Sequence, residues 1–150
     1  MTAKLLFLLL IQLCLFNSCT STTNNAKQND SVSKKSSPLN CYRYANSKDT
    51  ITLKLVHVGN SITGTLAYKM PQKNTSKGTI LGGMDGDLLV VDYTPFVDSM
   101  TPRQVVLKLI GSYFVEGKGE TYTDNGRVLF KNRNDLHFND TIKLTEFVCQ

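Results

Sequence analysis

Three acids crowd one short stretch of the chain: Asp85 and Asp87 flank Gly86, and Asp92 lies five residues on, in "GGMDGDLLVVDY". Carboxylates so close together could hold a hard cation. A calcium loop, however, takes five or more oxygen ligands at alternate positions and ends in a glutamate at the twelfth. No glutamate stands in range here. A phosphate loop would need Gly-Lys-Ser/Thr opening a helix, and the residues that follow are Leu-Leu-Val-Val, a strand pattern. Asp-Gly is instead a hairpin signal, because glycine enters the left-handed region without steric cost. The stretch therefore reads as a turn between two strands, with no metal. His57 and His137 are the only histidines, and neither is accompanied by Gly-x-Ser-x-Gly or His-Glu-x-x-His. Both read as core or surface side chains. Glu116 and Glu120, in "VEGKGE", have the residue types of a glycosidase acid/base pair. The chain has no tryptophan to offer a sugar as a platform, and a glycine-rich loop is the plainer reading. No catalytic residue, metal or cofactor is expected, and the chain does not read as an enzyme.

The cysteines carry a different kind of chemistry. Residues 1–18 hold one cation, Lys4, and then an apolar run from Leu5 to Phe16 broken only by Gln12. That run is shorter than the ~20 apolar residues of a membrane-spanning helix. A charged start, a short apolar region and a small residue at the end describe a secretory signal peptide. Ser18 is followed by Cys19, and a small residue before a cysteine after such a run resembles the lipobox of bacterial lipoproteins. The resemblance implies a diacylglycerol on the Cys19 thiol and acylation of its amine after cleavage. Phe16 and Asn17 depart from the usual box, as they do in looser boxes, while Cys14 is preceded by Leu13 and does not fit. Residues 19–40 are almost wholly Ser, Thr, Asn and Lys, a composition that cannot bury enough apolar surface to fold, so they read as a polar tether. Thr20, where aspartate marks inner-membrane retention in enterobacteria, points to the outer membrane. The missing acidic export tag points to its periplasmic face.

In an oxidising compartment, Cys41 and Cys149 bracket the rest of the chain as an even pair, which reads as a disulfide between first and last strands. Neither has the CxxC spacing of a redox pair, and zinc would take more Cys or His at close spacing. The net charge of +5 does not mark a nucleic-acid binder. Residues 40–150 hold 13 cationic and 11 acidic side chains, spread along the chain with no basic run.

These side chains must be positioned by strands, because from residue 41 onward the apolar period is two. "CYRYA" (41–45), "TITLKLVHV" (50–58), "SITGTLAYKM" (61–70), "KGTILGGM" (77–84), "LLVVDYT" (88–94), "RQVVLKLIG" (103–111), "RVLFKN" (127–132) and "DTIKLTEFVC" (140–149) read as strands. Gly59-Asn60, Asp85-Gly86-Asp87 and Asp124-Asn125-Gly126 supply turns. About eight short antiparallel strands in residues 41–150 predict an all-β domain, a small lipocalin-like barrel or sandwich that leaves few exposed sheet edges. Tyr42, Tyr44, Tyr68 and Tyr93 are expected in or at the barrel mouth, their hydroxyls reaching water.

"CYRYANSKDTITLKL", "GTLAY", "KGTILG", "GDLLVVDYTPF", "RQVVLKL" and "EGKGE", closed by Cys149, resemble in order a group of flavobacterial lipoproteins. The resemblance covers nearly all of 41–149 and implies no activity. Pro95, between Thr94 and Phe96, is an insertion relative to that group. "GKGETYTDNG" (117–126) is also similar to a loop of the membrane-bound inhibitors of C-type lysozyme, sharing Gly119, Tyr122, Thr123, Asp124 and Gly126. That likeness implies an inhibitory loop of Lys118, Tyr122 and Asp124, although Lys118 stands where that family has its cleft-entering serine. The expectation is a non-enzymatic outer-membrane lipoprotein, held in the membrane by its N-terminal lipid. Its barrel would bind a small apolar ligand or an envelope protein. The alternative is an inhibitor of a lysozyme-like hydrolase.

Overall fold

The computed structural model describes residues 39–71 and 75–150. The signal segment, Cys19 and the stretch up to residue 38 lie outside the described residues. Eleven strands follow in chain order: β1 (Leu39–Ala45), β2 (Thr50–Val58), β3 (Ser61–Lys69), β4 (Ser76–Asp85), β5 (Leu88–Pro95), β6 (Arg103–Ile110), β7 (Tyr113–Lys118), β8 (Thr121–Asp124), β9 (Arg127–Phe130), β10 (His137–Phe138) and β11 (Leu144–Phe147). Strands β1 to β7 form an antiparallel meander, and β11 pairs with both β7 and β1 to close it. The result is an eight-stranded antiparallel barrel with no open edge.

Period-two alternation builds the core. In β2, Ile51, Leu53 and Leu55 are buried while the residues between them are half-buried. Leu66, Leu89, Val91, Leu107 and Leu144 fill the same interior from the other staves. Turn chemistry sets the register. Asn125 and Gly126 both have positive φ, 46° and 74°, the two-residue hairpin turn whose twist matches that of its strands. Gly86 does the same work between β4 and β5, at φ 62°.

The eight staves are not the eight strands read from the sequence. Residues 113–118, not among the strands read from the sequence, form stave β7, and residues 127–130, read as a stave, lie outside the barrel in the β8–β9 hairpin. The cause is a second, smaller core. Val106, Val115 and Leu136 are buried but lie outside the main core cluster. They mark the outer face of β6 and β7, which residues 127–138 cover. Gly117 and Gly119 leave room for that cover: a Cβ on Gly117 would stand 2.9 Å from Phe138, and one on Gly119 2.6 Å from Leu136. Strand β11 is also shorter than its sequence pattern, because Asn139 Oδ1 accepts from the Thr141 amide and turns the chain before Leu144.

The acids of the opening stretch are each matched to a cation. Asp85 lies 3.6 Å from Arg133, Asp87 lies 3.4 Å from Lys108, and Asp92 pairs with Arg127. Arg127 and Arg133 belong to the covering segment, so two of these pairs tie it to β4 and β5. No group of three or more His, Cys, Asp or Glu is placed to hold a metal ion among the described residues.

Candidate functional site

A cavity of about 620 Å³ opens at the end of the barrel where β3 finishes and β6 begins. Ile51, Met70, Met100, Pro95 and Ile142 give it apolar walls, and Arg103, Glu116 and Lys118 are its charged residues. The strand registers explain how these meet. Arg103 stands opposite Tyr93 on β5, Tyr68 stands opposite Ile51 on β2, and Glu116 follows Phe114 by two residues on the inward face of β7.

Four of these side chains form one network. The Tyr68 hydroxyl donates to Glu116 Oε2 at 3.0 Å. Lys118 Nζ donates to Glu116 Oε1 at 3.1 Å, and Arg103 Nη1 reaches the same oxygen at 3.4 Å. The Arg103 guanidinium also lies 5.1 Å from the ring centroids of both Tyr68 and Tyr93, within reach of their π faces. Those rings meet edge to face at 6.2 Å. The Tyr93 hydroxyl donates to Ser76 Oγ at 3.1 Å. Burial first, and then the Glu116 carboxylate, push the Tyr68 phenol far above its ordinary range. It therefore stays protonated and remains a donor at neutral pH.

The structure corrects one expectation for the tyrosines. Tyr68 and Tyr93 are buried, and their hydroxyls go to Glu116 and Ser76 rather than to water. Tyr42 and Tyr44 are half-buried, Tyr42 packing edge-on against Phe114 at 4.9 Å and Tyr44 accepting from Asn46.

The remaining site residues are distributed as follows. Cys41 and Cys149 are joined in a disulfide, Cα to Cα 5.4 Å. Lys118, Tyr122 and Asp124 do not form a single loop: Lys118 ends β7 at the cavity rim, whereas Tyr122 and Asp124 are exposed on β8. Glu116 and Glu120 do not pair with each other, since Glu120 goes outward to Lys131 at 3.0 Å. His57 and His137 are both exposed. Arg103 and Glu116 were not legible together as a site. The available signal was a charge in phase with buried neighbours, Arg103 with Val105 and Leu107, and Glu116 with Phe114.

Comparisons with family models, curated proteins and solved structures find no match to this chain. Its reading rests on the geometry above.

Proposed function

We propose that the protein is a non-enzymatic binding module, an outer-membrane lipoprotein whose barrel cavity holds a small molecule with an apolar body. The cavity carries this reading. Its volume falls within the ~300–1,000 Å³ of pockets that bury a small ligand, and it combines apolar walls with a few convergent polar groups. The chemistry of Glu116 agrees, because its two oxygens are engaged by Tyr68, Arg103 and Lys118 instead of facing a reacting group. Displacement of an environment-sensitive apolar dye by a panel of envelope lipids tests it. Compounds that displace the dye should also raise the melting temperature, since a ligand at a hundred times its Kd stabilises by about 2.7 kcal/mol. A dye that does not bind, with a panel that shifts nothing, overturns it.

Anchoring is tested separately. Cys19→Ala should abolish acyl labelling and release the protein from the membrane fraction. Unchanged labelling and retention overturn the lipoprotein reading.

A second reading has one observation in its favour. Every residue of β8 is exposed, with Tyr122 46% accessible on a hairpin outside the barrel, as an inhibitory element would require. Inhibition of a C-type lysozyme that Tyr122→Ala and Lys118→Ala weaken would establish it, and no inhibition by the native protein ends it.

A further inference from the structure

We infer that the cavity selects a monocarboxylate amphiphile, its head on Arg103 and Lys118 and its apolar body against Met70, Met100 and Ile142. This rests on the cavity-binding reading above and names the ligand for it. Two cations and one carboxylate line the cavity, leaving one positive charge. The acceptor side of the network is occupied at both oxygens, Oε2 of Glu116 accepting from the Tyr68 hydroxyl and Oε1 from both cations. The donor side is not. Arg103 has five N–H groups, and its contact with Glu116 at 3.4 Å is longer than the ~2.7–2.9 Å of a strong charge-assisted bond. The Arg103 guanidinium lies 5.1 Å from both the Tyr68 and Tyr93 ring centroids, so two aromatic rings support its charge while it keeps further N–H groups with which to receive a carboxylate. Lys118, 72% exposed, stands at the rim as a second cation. A cationic head would meet both charges with like sign. The two flexible methionines let the apolar wall adapt to chain shape.

The test is competitive dye displacement on the purified full chain with dodecanoate, dodecanol, dodecyltrimethylammonium and dodecyl phosphate, each below its micellar concentration. Dodecanoate should bind about tenfold or more tightly than dodecanol, the scale of a charged hydrogen bond. Equal affinities overturn the head-group inference while leaving the cavity reading intact, and no binding by any of the four overturns both. Tighter binding by the ammonium or the phosphate compound also overturns the inference. R103Q should close the gap between acid and alcohol, with a thermal melt reporting that the variant is folded. K118A, at an exposed position, should narrow the same gap several-fold and serves if R103Q does not fold. A gap unchanged in the folded variants overturns the assignment.

Discussion

Tyr68 and Glu116 are joined by a hydrogen bond of 3.0 Å that crosses the barrel interior, linking β3 to β7, two staves that share no edge. The bond has a consequence in alkali. Below the ordinary phenol value of 10.0 the Tyr68 hydroxyl is protonated in folded and unfolded chains alike, and its stabilisation is complete. Above that value the unfolded chain gives up the proton first, so stability falls as pH rises. Phenolate absorbance should therefore show one tyrosine that ionises only as the fold is lost, and Tyr68→Phe should remove that step. Tyr68→Phe also leaves the Glu116 carboxylate short of a donor, a cost of about 1–3 kcal/mol in a denaturant titration. A late tyrosine that persists in the variant would assign the step to another residue.

The disulfide joins residues 108 positions apart. In the chain-entropy account, closing a loop of that length restrains the unfolded chain by about 4–5 kcal/mol, an upper figure for what is measured. The double variant Cys41→Ala, Cys149→Ala should melt well below the native protein, while the native protein under reductant should match the variant. Equal melting temperatures for oxidised and reduced native protein would show that the bond contributes nothing to stability.

Adjacent glycines in β4 offer an internally controlled test. A Cβ on Gly82 would stand 2.0 Å from the Val90 carbonyl oxygen, across the pair with β5, whereas one on Gly83 meets nothing nearer than the Asn60 carbonyl at 3.5 Å. Gly82→Ala should destabilise by about 1–3 kcal/mol, the scale of overpacking. Gly83→Ala should change stability by less than about 0.5 kcal/mol. Similar losses at both positions would contradict the backbone approach between β4 and β5.

Asp85, Asp87 and Asp92 are spent on Arg133, Lys108 and Arg127. Millimolar calcium should leave the melting temperature where it is. Asp92→Asn should cost no more than about 1 kcal/mol, because both partners are about half exposed. A calcium-dependent rise in melting temperature that Asp87→Asn abolishes would restore the metal reading.

The sequence pattern was legible wherever one strand face met the core and the other met water. Ile51, Leu53 and Leu55 announce β2 in this way, and the Gly86 turn follows from its dipeptide. It misled at β7, where the polarity is inverted. Glu116 and Lys118 face inward because the barrel opens there, and Val115 and the bare Gly117 face outward because Leu136 and Phe138 cover them. The apolar "RVLF" of β9 imitates a stave for the same reason, since its burial comes from the outer layer. The site was harder still to read. Arg103 and Glu116 lie 13 residues apart, and the β6–β7 register sets Glu116 opposite Leu107 rather than Arg103, so the two meet only through their long side chains inside the barrel.

The registers also give the barrel a direction. Thr50 pairs with Lys69 at the cavity end, while Leu39 pairs with Val56 at the other, where the disulfide holds Cys149 beside the first strand. Nine residues of β2 separate these poles, a span of at most roughly 30 Å. The described chain therefore enters the barrel at the pole opposite the cavity. On the binding reading proposed above, a ligand would enter at the end opposite the one where the chain passes into β1.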